Sequence, residues 1–366
     1  MQAAQEALNK KDYNTALQHL QEAQQIGDRS NYENYVIDQF LTNAYVGLKQ
    51  YGKAADAIQG TLDTGIPSPE EASTLRRNLV QIYYSTKNYS AAVKAGDAYL
   101  NSKPSDNDIR VLVAQSQYLM GQCSQSVDTI EKAASTARAN GQPVKEDWLQ
   151  LELSCAHKSG DDAATMKALE NLVRAYPKKD YWNDLIAMFR QKYGTSDAVN
   201  LESFRLDRRE GTLDGANDYV EMAQLAMLVG LPGEAQSVIK EGFDKGVLGD
   251  AEKGRHERLR KLADDSAAQD QANLPALAKE AAAASTGEAQ VKLGEAYMSY
   301  GDYDKAVDAI KAGLDKGGVK NTPAAQLHLG MALLKAGKKA DANAAFKKVK
   351  GDPAYEKLAD YWMMAG

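Results

Sequence analysis

The chain has 366 residues, room for roughly two or three ordinary globular domains or for one continuous array of small repeating units. It is 43% hydrophobic and 26% charged, the mixture of a soluble folded protein, and its aromatic content is 19 Tyr against 5 Phe and 3 Trp. Its 44 basic and 50 acidic residues leave a net charge of −6, which argues against a general binder of nucleic acid or anionic membrane, and no apolar run approaches the roughly 20 residues of a membrane span.

Met1-Gln2-Ala3 opens directly into a helical pattern, without a basic, apolar and small-residue leader. The first helical pair lacks the start of its first helix, so a trimmed N-terminus that had carried a signal peptide is expected, with a frayed helix of a cytoplasmic protein as the alternative. From there a turn-centred pattern recurs: NKKDYNTALQHLQEA (9–23), LKQYGKAADAIQGTL (48–62), STKNYSAAVKAGDAYL (85–100) and MGQCSQSVDTIEKA (120–133). It returns in GLPGEAQSVIKEG (230–242), YGDYDKAVDAIKAG (300–313) and AGKKADANAAFKKV (336–349). The corner position falls at Tyr13, Tyr51, Tyr89 and Cys123, spaced 38, 38 and 34 residues apart, and again at Tyr303 and Lys339, 36 apart.

Apolar residues at i, i+3, i+4 and i+7 predict amphipathic helices on both sides of each corner. Ala16, Ala54, Ala92, Ala306 and Ala342 stand where paired helices would cross most closely, with Gly294 and Gly330 facing that crossing. Gly301-Asp302 suits the corner, because Gly accepts a left-handed conformation and Asp caps the next helix. Ser68-Pro69-Glu70-Glu71 predicts a capping box with Pro at the first helical position, and Ser285-Thr286-Gly287-Glu288 has the same spacing. Thr322-Pro323 and Asp352-Pro353 place a capping residue before Pro, while Pro104 and Pro177 predict ends of pairs. Period-two alternation, the mark of strands, is absent.

These corners, crossings and spacings resemble the tetratricopeptide repeat, a helix–turn–helix unit of about 34 residues. The resemblance implies an all-α fold: a right-handed α-α superhelix of about nine to ten hairpins with a C-terminal capping helix. Three segments are expected. Residues 1–177 form an N-terminal array of about five hairpins, and 178–285 a divergent middle segment that includes a degenerate hairpin at 251–285. Residues 286–366 hold two clear hairpins and a terminal helix covering the last apolar face.

Little in the sequence suggests catalysis or a metal. His19, His157, His256 and His328 fall on separate hairpins, and no H-E-x-x-H, C-x-x-C or phosphate-loop pattern occurs. GLPGEA (230–235) follows a helix and reads as a turn, and LDGAND (213–218) lacks the rest of a calcium loop. The basic runs FRLDRRE (204–210) and RHERLRK (255–261) are interrupted by acids and read as solvated helix faces. No cofactor and no enzymatic activity are expected.

Cys123 begins the second helix of one hairpin and Cys155 lies late in the first helix of the next. Antiparallel neighbours bring those ends together, so the pair is a candidate disulfide, with an oxidising compartment such as a periplasm as its consequence. Two buried free thiols in a cytoplasmic protein are the alternative.

In the resembled family the first helix of each hairpin lines a concave groove. Carried over by repeat position, the groove candidates are Gln39 and Asn43, then Arg77, Gln81 and Tyr84, then Gln115 and Tyr118, and finally Gln150, Ser154 and His157. A row of amides both donates to and accepts from an extended backbone, and the tyrosines offer rigid contact area. The resemblance therefore implies a non-enzymatic scaffold that binds a protein or peptide partner, and the Ala-, Gln- and Lys-rich composition suggests a bacterial setting. The competing expectation is a structural or oligomerising component of a bacterial envelope complex, using hairpin edges and the terminal helix around Tyr361, Trp362, Met363 and Met364.

Overall fold

A computed structural model describes residues 1–249 and 252–366. Every regular element among them is an α-helix. The chain divides into two compact units, Met1–Ala168 and Leu169–Gly366. The first begins with α1 (Gln2–Asn9) and α2 (Tyr13–Gln24), then α3 (Asn31–Gly47) and α4 (Tyr51–Asp63). It continues with α5 (Pro69–Ser85), α6 (Tyr89–Leu100), α7 (Asn107–Leu119), α8 (Cys123–Ala139) and α9 (Glu146–Ser159). Helix α10 (Asp162–Ala175) contains the boundary.

The hairpin corners obey one backbone rule. The residue two places before the second helix is left-handed: Lys11 (φ 60°), Lys49 (φ 57°) and Lys87 (φ 61°) before Tyr13, Tyr51 and Tyr89, then Gly121 (φ 80°) before Cys123 and Gly301 (φ 79°) before Tyr303. Glycine adopts this conformation freely, whereas each lysine carries strain. Asp12, Asn88 and Asp302 then cap the second helices, accepting from the N–H groups of Thr15, Ala91 and Lys305.

All five crossing alanines, Ala16, Ala54, Ala92, Ala306 and Ala342, are fully enclosed. A Cβ on Gly294 would lie 2.5 Å from Ile310 Cγ1 and 3.0 Å from the Ala306 carbonyl oxygen. No larger residue fits there without pushing the axes apart. Apolar clusters run from one hairpin into the next: Leu20 on α2 packs with Ile37 and Leu41 on α3 and Ala57 on α4.

The second unit comprises α11 (Lys179–Tyr193), α12 (Asp197–Glu210), α13 (Ala216–Leu228), α14 (Pro232–Asp244), α15 (Lys253–Ala283), α16 (Glu288–Ser299), α17 (Tyr303–Lys316), α18 (Thr322–Lys335), α19 (Lys339–Phe346) and α20 (Pro353–Ala365). Two features depart from the sequence expectation. In place of a degenerate hairpin, α15 is one 31-residue helix, about 46 Å long at 1.5 Å per residue. No glycine lies between Gly254 and Gly287, so the run lacks the residue that most easily takes a left-handed corner, and Pro275 is absorbed within the helix. Helix α12 is enclosed almost all round, with Leu201 through Asp207 buried without interruption, which is why its repeat pattern is faint.

The unit also closes on itself, because α12 packs against α20. The terminal helix is held from several sides. Tyr361 and Trp362 are buried, the Phe346 ring stacks on Trp362 at 6.4 Å between centroids, and Phe189 meets Tyr361 edge-on at 6.0 Å. Lys357 Nζ and the Tyr361 hydroxyl donate to Glu170 Oε1 at 2.7 and 3.1 Å. Tyr361 and Trp362 thus serve the core of this unit rather than an outward surface.

The helix starts match expectation in part. Asp352 caps as expected, and Ser68 accepts from the Glu71 N–H at 3.2 Å, but the Glu71 carboxylate turns to Tyr35 and Gln39, so the expected box is only half formed. At α18 the cap is Asn321, whose side chain accepts from Ala324 N–H at 3.0 Å, one residue before the expected Thr322. The expected box from Ser285 to Glu288 does not form, and Gly287 precedes α16 with no side-chain cap.

Packing at the crossings makes a direct prediction. Gly294→Val should destabilise the protein by about 1–3 kcal/mol through overpacking, and Gly301→Ala by about 1–2 kcal/mol through left-handed strain. Lys311→Ala, at an exposed position on α17, should stay within about 0.5 kcal/mol. Urea denaturation monitored by circular dichroism measures all three, and equal effects would contradict the packing account.

Candidate functional site

In the first unit, α3, α5, α7 and α9 carry the ten groove candidates. Asn43, Gln81, Gln150 and His157 are exposed, while Gln39, Arg77, Tyr84, Gln115, Tyr118 and Ser154 are half-buried. Two of them already link hairpins. Gln39 Nε2 donates to Glu71 Oε1 at 2.8 Å and to the Tyr35 hydroxyl at 2.7 Å. Arg77 Nε donates to Asp106 Oδ2 at 3.3 Å, the same oxygen that accepts from the Tyr99 hydroxyl at 2.7 Å. Burial alone would raise the Asp106 pKa; the Tyr99 hydroxyl, the Ile109 N–H and Arg77 outweigh it and hold the carboxyl below the usual range. Ser154 turns inward to the Gln150 carbonyl at 2.8 Å, Tyr84 packs edge-on against Tyr89, and Lys158 sits 4.9 Å over the Tyr118 ring. Asn43 and Gln81 are left as exposed amides on neighbouring hairpins.

The second unit holds two features that the sequence did not disclose. One is a buried charge cluster drawn from four helices. Arg205 on α12 grips Glu234 on α14 with two parallel bonds, Nε to Oε1 at 2.8 Å and Nη2 to Oε2 at 2.6 Å, and its Nη1 also pairs with Glu202. His328 on α18 bridges Glu202 Oε1 at 2.8 Å through Nε2 and Glu295 Oε1 on α16 at 2.7 Å through Nδ1. Burial pulls the His328 pKa down, but the Glu202 and Glu295 carboxylates outweigh it and raise it to about 10. His328 is therefore an imidazolium donating from both nitrogens. Burial works against the ionised Glu202 as well, and Arg205 with His328 keeps its pKa below normal.

The second feature is a cavity of about 970 Å³ beside that cluster. Arg205, Arg208 and Arg209 of α12, Lys240 of α14, Arg260 of α15 and Lys335 of α18 bring six cations to its wall, against the acids Glu210, Glu234, Glu241 and Asp264. Met222, Met298, Met331, Tyr300, Tyr303 and Trp362 supply apolar and aromatic surface. Arg208 Nε pairs with Glu241 Oε2 at 2.7 Å, and Arg209 donates to the Ala365 carbonyl at 2.6 Å while lying 5.2 Å from the Trp362 ring centroid. FRLDRRE is thus not the solvated face its sequence suggested: Arg205 is 5% exposed and inside the charge cluster.

Among the described residues, no group of three or more His, Cys, Asp or Glu is placed to hold a metal ion, and no helix is long and apolar enough to cross a membrane. His19 lies 3.2 Å from Glu22 on the surface, and His256 accepts the Gly249 N–H at 3.2 Å.

The tetratricopeptide repeat model matches residues 42–107 and 291–356, one stretch in each unit and each spanning hairpins just described. The chain carries tetratricopeptide repeats in both units. Such repeats generally mediate protein–protein interaction. Curated proteins yield no match. Solved structures similar to it include PilW, a widely conserved type IV pilus biogenesis factor, at 18% identity over 48% of this chain and 76% of that one, with a TM-score of 0.31. A tetratricopeptide repeat protein from Parabacteroides merdae is similar at 10% identity over 90% and 99% of the two chains, TM-score 0.31. The C-terminal part of a repeat protein from Cytophaga hutchinsonii shares 15% identity over 77% and 97%, TM-score 0.28.

Within this repeat protein the cysteines approach one another as free thiols. Cys155 is buried and Cys123 half-buried. Burial pushes the Cys155 thiol up to about 11, the Ser126 hydroxyl opposes that rise, and the adjacent Cys123 side chain adds to it.

The charge cluster sets the alkaline response of the second unit. The His328 pKa rises on folding from an ordinary 6.5 to about 10, so its contribution is complete below about pH 6.5 and is lost as pH climbs through about 10. His328→Ala leaves the buried Glu202 and the half-buried Glu295 short of a partner and should cost about 3–5 kcal/mol at pH 7. Urea denaturation between pH 7 and 10 tests both: the wild type should weaken across that range, and a variant with the same slope would remove His328 as its origin.

Proposed function

We propose that the protein is a non-enzymatic scaffold whose first unit holds an extended segment of another protein along α3, α5, α7 and α9. The observation that carries this proposal is the exposed amide pair Asn43 and Gln81 on successive hairpins, continued by the half-buried Gln115 and flanked by Tyr84 and Tyr118. An extended segment presents N–H and C=O groups alternately, and side-chain amides satisfy both. Gln39 and Arg77 act one step behind, since their bonds to Glu71 and Asp106 fix the spacing of the hairpins that present the amides. An oxidising compartment such as a periplasm is part of the proposal: the two cysteines, free thiols in this structure, are neighbours across adjacent hairpins, where a disulfide could join them.

Photo-crosslinking in the native host tests the lane. A benzophenone amino acid at position 81 should give a discrete adduct, which the double variant Asn43→Ala/Gln115→Ala weakens at least severalfold without loss of helicity. The same probe at exposed Lys94 on α6 should give none. Equal adducts from both positions, or none from 81, would retire the lane. For the compartment, protein purified without reductant should gain the mass of two hydrogens on reduction; one mass under both conditions would dismiss the disulfide.

A further inference from the structure

Lys335 at the end of α18 stands apart from the other cations around the second-unit cavity. Arg205, Arg208, Arg209, Lys240 and Arg260 each lie within 4 Å of a carboxylate, but Lys335 has none within that distance among the described residues. Burial lowers its pKa, the neighbouring Arg209 and Arg208 lower it further, and Glu241 opposes them only in part. Lys335 is therefore the cation of this wall that no carboxylate within 4 Å balances among the described residues. Trp362 lines the same wall and is 2% exposed, yet its buried indole N–H has no acceptor among the described residues. An ammonium with no carboxylate partner, on a wall that also carries guanidinium groups and aromatic surface, asks for an acceptor with negative charge.

We infer that this cavity is a binding site for a small organic anion: a carboxylate, sulfonate or phosphate head on an apolar or aromatic body. The head would be held by Lys335 with the spare guanidinium donors of Arg208 and Arg209, and the body would rest on Met298, Met331 and the Tyr300 ring. The volume, about 970 Å³, is at the upper end of those that take small molecules. The site is independent of the amide lane, since every residue lining it belongs to the second unit.

The probe is 8-anilinonaphthalene-1-sulfonate, titrated against the full chain by fluorescence and calorimetry, beside N-phenyl-1-naphthylamine, which has the same body without the anion. The sulfonate should bind one to one, the neutral amine far more weakly, and added salt should weaken the sulfonate alone. Lys335→Met should reduce sulfonate affinity about 10- to 100-fold, the loss of one charge-assisted contact, and Lys335→Arg should restore most of it. Circular dichroism and melting temperature should be unchanged in both variants, because Lys335 ends its helix on an open face. Asn43→Ala/Gln115→Ala should bind the probe as the wild type does. Absence of saturable binding, equal affinity for the neutral amine, or indifference to Lys335→Met would each overturn the assignment. So would stronger competition from a capped hexaglutamate peptide than from 1-naphthoate, which would give the cavity to an acidic protein segment.

Discussion

Two helices crossing over an alanine approach more closely than any larger side chain would permit, and that contact organises the fold. Ala16, Ala54, Ala92, Ala306 and Ala342 have no surface left to lose. A hairpin joined through such small side chains buries modest apolar area by itself, so its stability has to come from the hairpins on either side. That is why the apolar clusters cross hairpin boundaries, with Leu20 meeting Ile37 and Val80 meeting Ile109. It is also why polar links join neighbours: Glu71 ties Gln39 and Tyr35 together, and Asp106 takes both Arg77 and Tyr99. Spacing between hairpins is thereby fixed twice, by packing and by directional bonds.

In the second unit that alternation is interrupted, and the layers exchange roles. In the first unit the odd-numbered helices touch their own successors, α1 with α3, α5 with α7 and α7 with α9. The single long α15 occupies the place of a hairpin, and beyond it the even-numbered helices α14, α16, α18 and α20 are in successive contact. The inner layer of this unit is therefore built from helices that the repeat register would have called second helices before α15 and first helices after it. Glu202, Arg205, Glu234, Glu295 and His328 meet on that layer. Desolvating so many charges offsets most of their mutual attraction, so the cluster is a weak source of net stability. Its effect is selective, because only the arrangement that brings α12, α14, α16 and α18 together leaves none of these charges alone.

Much of this was legible in the residues. Corner spacing, the crossing alanines and the Gly301-Asp302 turn are local signals, and each fold element they predicted is present. The failures share a physical cause. Thr322 was passed over for Asn321 because two capping residues stood side by side and backbone geometry chose between them. The hairpin expected at 251–285 had no Gly-Asp-Tyr corner to turn it, and the helix ran on. Arg205 and His328 lie 123 residues apart, so nothing in one sequence says that they share a pocket. An arginine flanked by acids looks the same whether its partners are on the surface or in the core. The positions of the proposed lane were easier to place on the fold, since repetition at a fixed register puts equivalent positions on successive first helices.

The two units present different geometries, and the difference bears on what each can hold. The lane proposed along the first helices would let an occupant be as long as the row of hairpins and satisfy its backbone groups in turn. Closure of α12 on α20 removes that freedom in the second unit. It replaces an open lane with a walled space, and the same contacts that close it bring Arg209, Trp362 and Lys335 to one wall. Charge is more effective in such a space than on an open surface, because low-dielectric walls screen it less than water does. The fold therefore gathers cations along this wall, the exposed Lys335 among them. A ligand there gains from few contacts, each strong, whereas a segment lying along the lane gains from many contacts, each weak.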